Sequence, residues 1–566
     1  MDGLVTTIVP QSKMVQKPIE VLLPASVNES RVQAPTRVAV IIITWNRKGY
    51  VTNVMRALSR QTFPPSQLDV VVVDNAGTDG TLDHLREQFR PERVVLNDAT
   101  LAHEPRFRAP IEQADGNALG LGSLTLVRNA TNFGGCGGFN TGFAYVDSVL
   151  DGAVRPEGER PSFVWLVDDD IDLPETTLAN LMATAAQDEN IGLVGSRTMD
   201  INNRASTIET TIYFDPTTGL MGDEAPRGHR LEQSHREWAA KVGGTRGEHY
   251  YSGHRDVDIV SACSMLARWS GVKKVGFWDY RYFIYCDDAD WCLRFAKAGY
   301  RVVLSLDAVV YHTPWHHKLT PARAYYAMRN ILWVLRKVLP LETQKRALPG
   351  WFRRILWEAG KALAYRRLFA AEIARRQLDD MVTGRWGKLD DEGPAFGNLF
   401  ETMRSAKLLT PKATIAVMCP RADMIAWGDE LRVMLAEKLK AAGCAENMPR
   451  FVYVVRNDVA DPGASVPGAP KRVVYGGRIR SKLRRQLDFF EHWPDAAIVF
   501  DHTNDFPLVY SGWNIHIDRR QASKAQIEWD GWIPRIKIGV KLAMTGFRAW
   551  RYWKSLTPYE SNGRYG

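Results

Sequence analysis

Read along its apolar and polar positions, the chain alternates short buried strands with helices. RVAVIIITWN (37–46) is an unbroken apolar run closed by polar residues, the pattern of a strand covered on both faces of a parallel sheet. A helical stretch, Val51–Gln61, leads to LDVVVVDNAGTDGT (68–81), a second such strand ending in a turn cluster. After another helix, LTLVRNATNFGGCGGFNTGF (124–143) and FVWLVDDDID (163–172) continue the series. Strand and helix in alternation predict an α/β sandwich with right-handed crossovers. Ligands of such sheets bind beyond the carboxyl ends of the strands, where each of these polar clusters falls.

Residues 200–256 are polar and irregular and read as an inserted loop region over an acceptor site. Strand and helix patterns resume with VDIVSACSMLARWSGVKKVG, FIYCDDADWCLRFAKAGY and RVVLSLDAVVYH. From Ala324 to about Arg376 the chain is helical, basic and Trp-rich. After a polar break at 387–412 a second α/β pattern follows, with TIAVMC, RFVYVVR, KRVVY and AAIVFDH as strands and helices near 424–442 and 476–490. The expected organisation is a leader arm (1–36), a first α/β domain (37–335), a helical basic linker (336–410), a smaller α/β domain (411–525) and a basic Trp-rich tail (526–566).

Composition adds little to this. With 566 residues, 45% hydrophobic and 24% charged, the chain is ordinary globular material for two or three domains. Its six cysteines form no C-x-x-C pair, so no zinc site is expected and a reducing, cytosolic setting fits. The start, MDGLVTTIVPQSKMVQ, lacks a secretory pattern, and no run of about 18 apolar residues suggests a spanning helix. A net charge of +9 suits an anionic partner, whether a nucleotide diphosphate, an anionic membrane or nucleic acid.

The sharpest chemical feature is Asp168-Asp169-Asp170 at the end of an apolar strand. Three adjacent carboxylates repel one another unless a cation neutralises them. Alternate side chains of an extended segment share a face, so Asp168 and Asp170 can address one ion, and oxygen ligands favour Mg²⁺ or Mn²⁺. The triplet alone is equally a solvated turn before Pro174-Glu175. Asp287-Asp288 opens a helix-like segment, where acids also simply favour the helix dipole. His312 ends a strand, and a lone histidine there is more often structural. The glycines of NFGGCGGFN (132–140) allow a backbone to approach a ligand, but Asn140 stands where the dinucleotide fingerprint needs glycine.

Order and spacing decide among these. From Arg37 to about Trp333 the chain resembles family-2 glycosyltransferases of the GT-A fold, within them the bacterial galactofuranosyl- and rhamnosyltransferase group. The resemblance rests on IIITWNR (41–47), VVVDNAGTDGT (71–81), NFGGCGGFNTG (132–142), VDDD (167–170), FIYCDDADWCLR (283–294), VYH (310–312) and YYAMRN (325–330). Residues beyond about 390 fall outside it. It implies that Thr44, Asn46 and Arg47 line a nucleotide pocket, that Asp74 bonds the base or ribose, and that Asn140 and its glycines border the donor sugar and phosphates. Asp168 would reach the ribose or metal, with Asp169 beside it at the donor. Asp170 and His312 would bind Mn²⁺ or Mg²⁺. Asp288 would be the general base and Asp287 would position acceptor hydroxyls, with Trp278 near the acceptor and Trp165 in the sugar pocket.

The implied activity is inverting transfer from a nucleotide sugar, UDP-galactofuranose first and dTDP-rhamnose second, to a glycan or lipid-linked glycan of the cell envelope. No nucleic-acid partner is expected. A sugar nucleotidyltransferase would show a Gly-rich loop where TWNRKG stands, and a non-catalytic binding protein would have lost the acidic motifs. A second transferase site in the C-terminal domain is the remaining alternative. It would draw on Phe500-Asp501-His502-Thr503-Asn504-Asp505 or the basic stretch 476–482, each also readable as a plain turn or helix start. In the tail, Ile533, Ile536, Val540, Met544 and Phe547 share one helical face among Arg and Lys. That predicts an interfacial helix, and a cytoplasmic location peripheral to the inner leaflet, against the alternative of a helix packed on the second domain.

Overall fold

A computed structural model of the chain describes residues 36–208, 212–242, 252–314, 321–364, 367–390, 397–456, 459, 470–475, 494–500, 511–517, 524–529 and 532–560. Most of the leader, the helix expected near 476–490 and the stretches 476–482 and 501–505 lie outside the described residues. The first domain carries strands β1 (Arg37–Thr44), β2 (Leu68–Asp74), β3 (Arg93–Asn97), β4 (Glu112–Gln113), β5 (Ser123–Asn129), β6 (Pro161–Asp168) and β7 (Ile191–Asp200). It continues with a small hairpin β8 (Tyr213–Phe214) and β9 (Met221–Gly222), then β10 (His254–Asp256), β11 (Ser264–Arg268) and β12 (Arg301–His312). Its helices are α1 (Lys48–Leu58), α2 (Thr81–Phe89), α3 (Gly134–Tyr145), α4 (Thr177–Ala185), α5 (Glu232–Val242), α6 (Trp269–Val275) and α7 (Asp287–Lys297).

Ten strands form one sheet in the order β10-β12-β7-β11-β6-β1-β2-β5-β3-β4. β1 is buried on both faces, as its apolar run requires. Ala39 and Ile41 join one core with Phe139 and Phe143 of α3. Val38, Val40 and Ile42 join the other with Val51, Leu85 and Leu178. The sheet is mixed rather than parallel, because β11 runs antiparallel between β6 and β7. β1 lies between β2 and β6, both parallel to it, so the strand order reverses there. A crevice opens at the carboxyl ends of β1 and β6, the place where open α/β sheets hold ligands. The inserted region is not wholly irregular: it supplies β8, β9, α5 and the edge strand β10.

Helices α8 (Pro321–Val338), α9 (Leu341–Ala364) and α10 (Leu368–Thr383) form the basic extension. Helix α8 runs unbroken through residue 335. The second domain then contains β13 (Gly397–Asn398), α11 (Leu399–Ser405), β14 (Thr414–Cys419), α12 (Ala422–Ala441), β15 (Arg450–Arg456), β16 (Lys471–Tyr475), β17 (Ala496–Phe500), β18 (Trp513–Ile517) and β19 (Lys524–Trp529). Its sheet order is β13-β19-β18-β17-β14-β15-β16, with β14 through β18 parallel, the strand order reversing at β14, and β19 antiparallel to β18. β13 and α11 precede residue 411, and β19 extends to Trp529.

The last helix is α13 (Trp532–Lys554). It returns to the helical extension. Buried Thr545 donates to Asp379 at 3.0 Å and accepts from Arg375 at 3.0 Å, while Arg548 reaches Asp379 at 2.8 Å. Further along, Trp553 donates its indole N–H to the Lys345 carbonyl at 3.0 Å. Among the described residues no helix is long and apolar enough to cross a membrane.

Candidate active site

Asp168 is the last residue of β6, and Asp169 and Asp170 follow it directly. Asp169 turns toward β1, where Arg47 donates to it at 2.8 Å. The same guanidinium nitrogen stands 2.8 Å from Asp170. The other oxygen of Asp170, and Asp168, face His312. The chain after the triplet crosses to β12, where Asp172 and Tyr311 exchange backbone hydrogen bonds at 2.9 and 3.0 Å. That bridge brings the end of β12 beside the triplet, with His312 Nε2 3.1 Å from Asp170 and 3.8 Å from Asp168.

Ligand atoms of Asp168, Asp170 and His312 all lie within 4.8 Å of one another. Two carboxylates and an imidazole make a hard donor set that fits Mg²⁺ or Mn²⁺. Arg47 offsets one of the three adjacent negative charges, and the remaining excess favours a divalent cation. Burial pushes the Asp169 carboxyl up to about 6, against the pull of Arg47. The Arg47 guanidinium is in turn held firmly charged by Asp169 and Asp170. Beside it opens a groove of about 730 Å³ lined by Asn46, Arg47, Lys48, Tyr50, Asp79 and His84.

Asp287 and Asp288 begin α7, and Asp168 is near enough that its charge raises both. Asp287 is buried and its carboxyl is pushed well up, first by burial and then by Asp288. Asp288 is also raised by burial, although it accepts from the Ala289 N–H at 2.8 Å. The structure thus brings the triplet, His312 and the Asp287-Asp288 pair to one crevice.

Several expected ligand residues sit behind that crevice rather than in it. Asn140 is fully buried; its amide donates to the Trp278 carbonyl at 2.9 Å and accepts from the Trp278 N–H at 3.0 Å. Trp278 and Trp165 are buried too, the first against Phe139 and Trp291, the second donating to Ser264 at 3.0 Å. All three side chains are buried in this structure. Asp74 accepts from the Gly77 N–H at 2.8 Å and pairs with Arg128 at 3.3 Å, so its carboxylate closes its own turn. Thr44 is buried at the end of β1, and Asn46 accepts from the Thr78 N–H at 2.6 Å. Two glycines of the motif and the segment after it serve helix–strand packing. Gly138 and Gly142 lie on Ile43 and Ile41, where a methyl group would overlap, so they let α3 close on β1.

What sequence reasoning missed is the support beneath Asp287-Asp288. Phe283, Tyr285 and Cys286 adopt left-handed backbone angles, φ 68°, 69° and 62°. Such residues each cost on the order of 1–3 kcal/mol and persist only when their surroundings over-determine them. Here Asn330 does so. Its amide faces the carbonyls of Tyr282, Ile284 and Tyr285 at 2.9, 2.8 and 2.9 Å. Arg329 adds Arg281 and Tyr282 carbonyls at 3.3 and 3.0 Å. Gly134, at φ 74°, packs its Cα on the Phe283 carbonyl, which accepts from the Cys136 N–H at 3.1 Å. The motifs YYAMRN and NFGG therefore brace this arch from two sides. Asn330→Asp keeps the shape but turns an acceptor toward three carbonyls. It is expected to lower kcat for sugar transfer by ~10–10²-fold, the scale of a small misplacement of a reacting group, while donor KM stays put. Steady-state kinetics beside a melting curve checks this; an unchanged kcat in a folded variant would remove the arch from the argument.

Comparison with known proteins agrees with the motifs. Residues 39–116 match the family model described as Glycosyl transferase family 2. The chain is similar to galactofuranosyltransferase GlfT2 of Mycobacterium tuberculosis, 23% identical over 363 residues, covering 61% of this chain and 48% of that relative. It thus spans about half of that relative's length. It is also similar to poly(ribitol-phosphate) beta-N-acetylglucosaminyltransferase TarS of Staphylococcus aureus, 40% identical over 52 residues, 9% of each chain. A solved structure of S. aureus TarS 1-349 in complex with UDP-GlcNAc aligns at TM-score 0.36 and 16% identity, covering 62% of this chain and 81% of that one.

Proposed function

We propose, from the premise of a glycosyltransferase family 2 core of the GT-A type, that the chain transfers a sugar with inversion from a nucleotide diphosphate donor to a glycan or lipid-linked glycan, with UDP-galactofuranose as the donor. The observation that carries this reading is the convergence of Asp168, Asp170 and His312 with Asp287 and Asp288 at the crevice between β1 and β6. The galactofuranose donor draws its support from the similarity to GlfT2.

In this reading Asp288 takes the proton of the acceptor hydroxyl as its oxygen forms the new bond to the anomeric carbon. The bond from that carbon to the diphosphate breaks on the opposite face, which inverts the configuration. Asp287, buried beside Asp288, orients acceptor hydroxyls. Arg47 and the residues of the adjoining groove hold the anionic half of the donor. Asp168, Asp170 and His312 would hold Mn²⁺ or Mg²⁺, which supplies Lewis-acid stabilisation of the departing diphosphate. The acceptor places the enzyme at the inner leaflet, peripheral to the membrane.

Purified protein supplied with Mn²⁺ and one nucleotide sugar at a time tests the donor. Turnover of UDP-galactofuranose, with at least ~10-fold preference over dTDP-rhamnose, is expected. Turnover of dTDP-rhamnose alone would overturn the donor assignment and leave the mechanism standing. Tight UDP binding with neither sugar turned over would point to another hexose on UDP.

A further inference from the structure

The outer face of α13 is apolar and uncovered along its length. Ile533, Ile536, Val540, Met544, Phe547 and Trp550 are each at least half exposed, at 69, 63, 56, 50, 59 and 54%. They recur at three- and four-residue spacing, so they form one stripe. The opposite face is spent on packing. Leu542 and Gly546 meet α9, and Thr545 and Ala549 are buried. Lys541 and Arg548 pair with Glu372 and Asp379 and fix the helix against α10.

Charge identifies what covers the stripe. The segment WIPRIKIGVKLAMTGFRAWRYWK contains six Arg and Lys and no acid. Exposed Lys537 and Arg551 flank the apolar row, and α9 adds an exposed Trp357, 70% accessible, with exposed Arg353 and Arg354. A second copy of the chain would bring the same positive charge to the contact and repel it. An anionic lipid surface complements both features, taking the apolar row into its headgroup boundary and the cations among its phosphates.

We propose that α13 is a membrane-docking helix that seats the protein on an anionic bilayer. Because the Arg375–Asp379–Thr545 contacts bind α13 to the extension that also contains Asn330, docking fixes the orientation of the catalytic crevice to the bilayer. The surface stands on its own geometry; its use in presenting a lipid-linked acceptor rests on the transferase reading above.

The test uses the full chain and phosphatidylcholine vesicles with or without phosphatidylglycerol. Wild type is expected to sediment with the anionic vesicles and to lose that binding as salt rises. The exposed triple variant I536S/V540S/F547S should bind them at least ~10-fold more weakly. K537E/R551E should lose the preference for phosphatidylglycerol, and both variants should hydrolyse donor as wild type does. Absence of wild-type binding at low salt, or equal binding by the triple variant, would overturn the proposal. So would a wild-type dimer that the triple variant dissociates without changing vesicle binding, since the stripe would then join two copies. A chain that binds vesicles but turns over no nucleotide sugar leaves the docking surface intact and removes the transferase reading.

Discussion

Asp288→Asn is expected to reduce sugar transfer by ~10²–10⁴-fold, the range lost with a general base, while UDP still binds. The substitution is nearly isosteric and preserves the acceptor for the Ala289 N–H, so α7 begins as before. What disappears is the basic oxygen facing the acceptor. The pH profile gives an independent readout. Burial holds the Asp287 and Asp288 carboxyls above the usual carboxylate range, with the Asp288 charge adding to the rise at Asp287 and the Asp168 charge adding to both, and the two titrate as a pair. The base form is therefore lost as pH falls through that raised value, and kcat/KM of the wild type declines on the acid side. The residual rate of Asp288→Asn should lack that decline. If Asp287→Asn proves the more damaging change, the two carboxylates exchange roles.

How far the sequence was legible follows from what each signal depends on. Continuous apolar runs such as VAVIII and VVVV are local statements, and they placed β1 and β2 correctly. The pairing of the triplet with His312 was also legible, through the order of VDDD and VYH, and the Asp172–Tyr311 bridge is the geometry behind it. The direction of β11 was not legible. Its residues, SMLAR, are as apolar as those of a parallel strand, and only the path of the preceding loop sets its sense. The left-handed arch was hidden because Phe, Tyr and Cys give no sign of positive φ; the cause lies in Asn330, more than forty residues away. The burial of Asn140 was hidden for a related reason. A conspicuous polar residue among glycines looks like a ligand contact until its amide is found paired with the Trp278 backbone. The same residue types serve a binding surface and a buried brace, and burial alone separates the two.

Removing either Asp170 or His312 should have the second large effect. Asp170→Ala or His312→Ala is expected to lower metal-dependent transfer by at least ~10²–10³-fold, the scale on which one group stabilising departing charge is felt. Asp170 follows the end of β6 and His312 ends β12, strands that are not neighbours, and the Asp172–Tyr311 bridge brings them together. Either change should leave that bridge, which is backbone, intact, so the melting temperature should shift little. The variants differ in what they do to Arg47. Asp170→Ala takes away one of its two carboxylate partners but leaves Asp169. His312→Ala leaves the Arg47 contacts untouched. If the loss of activity came from a disturbed Arg47, only the first variant would be impaired; if it comes from the metal, both should be. Direct titration with Mn²⁺, read by calorimetry without any sugar donor, separates the cases. Weakened Mn²⁺ binding by both variants is the expected result. Wild-type Mn²⁺ affinity in His312→Ala, or full transfer by Asp170→Ala in excess EDTA, would show that the cluster at the end of β6 is not a metal site.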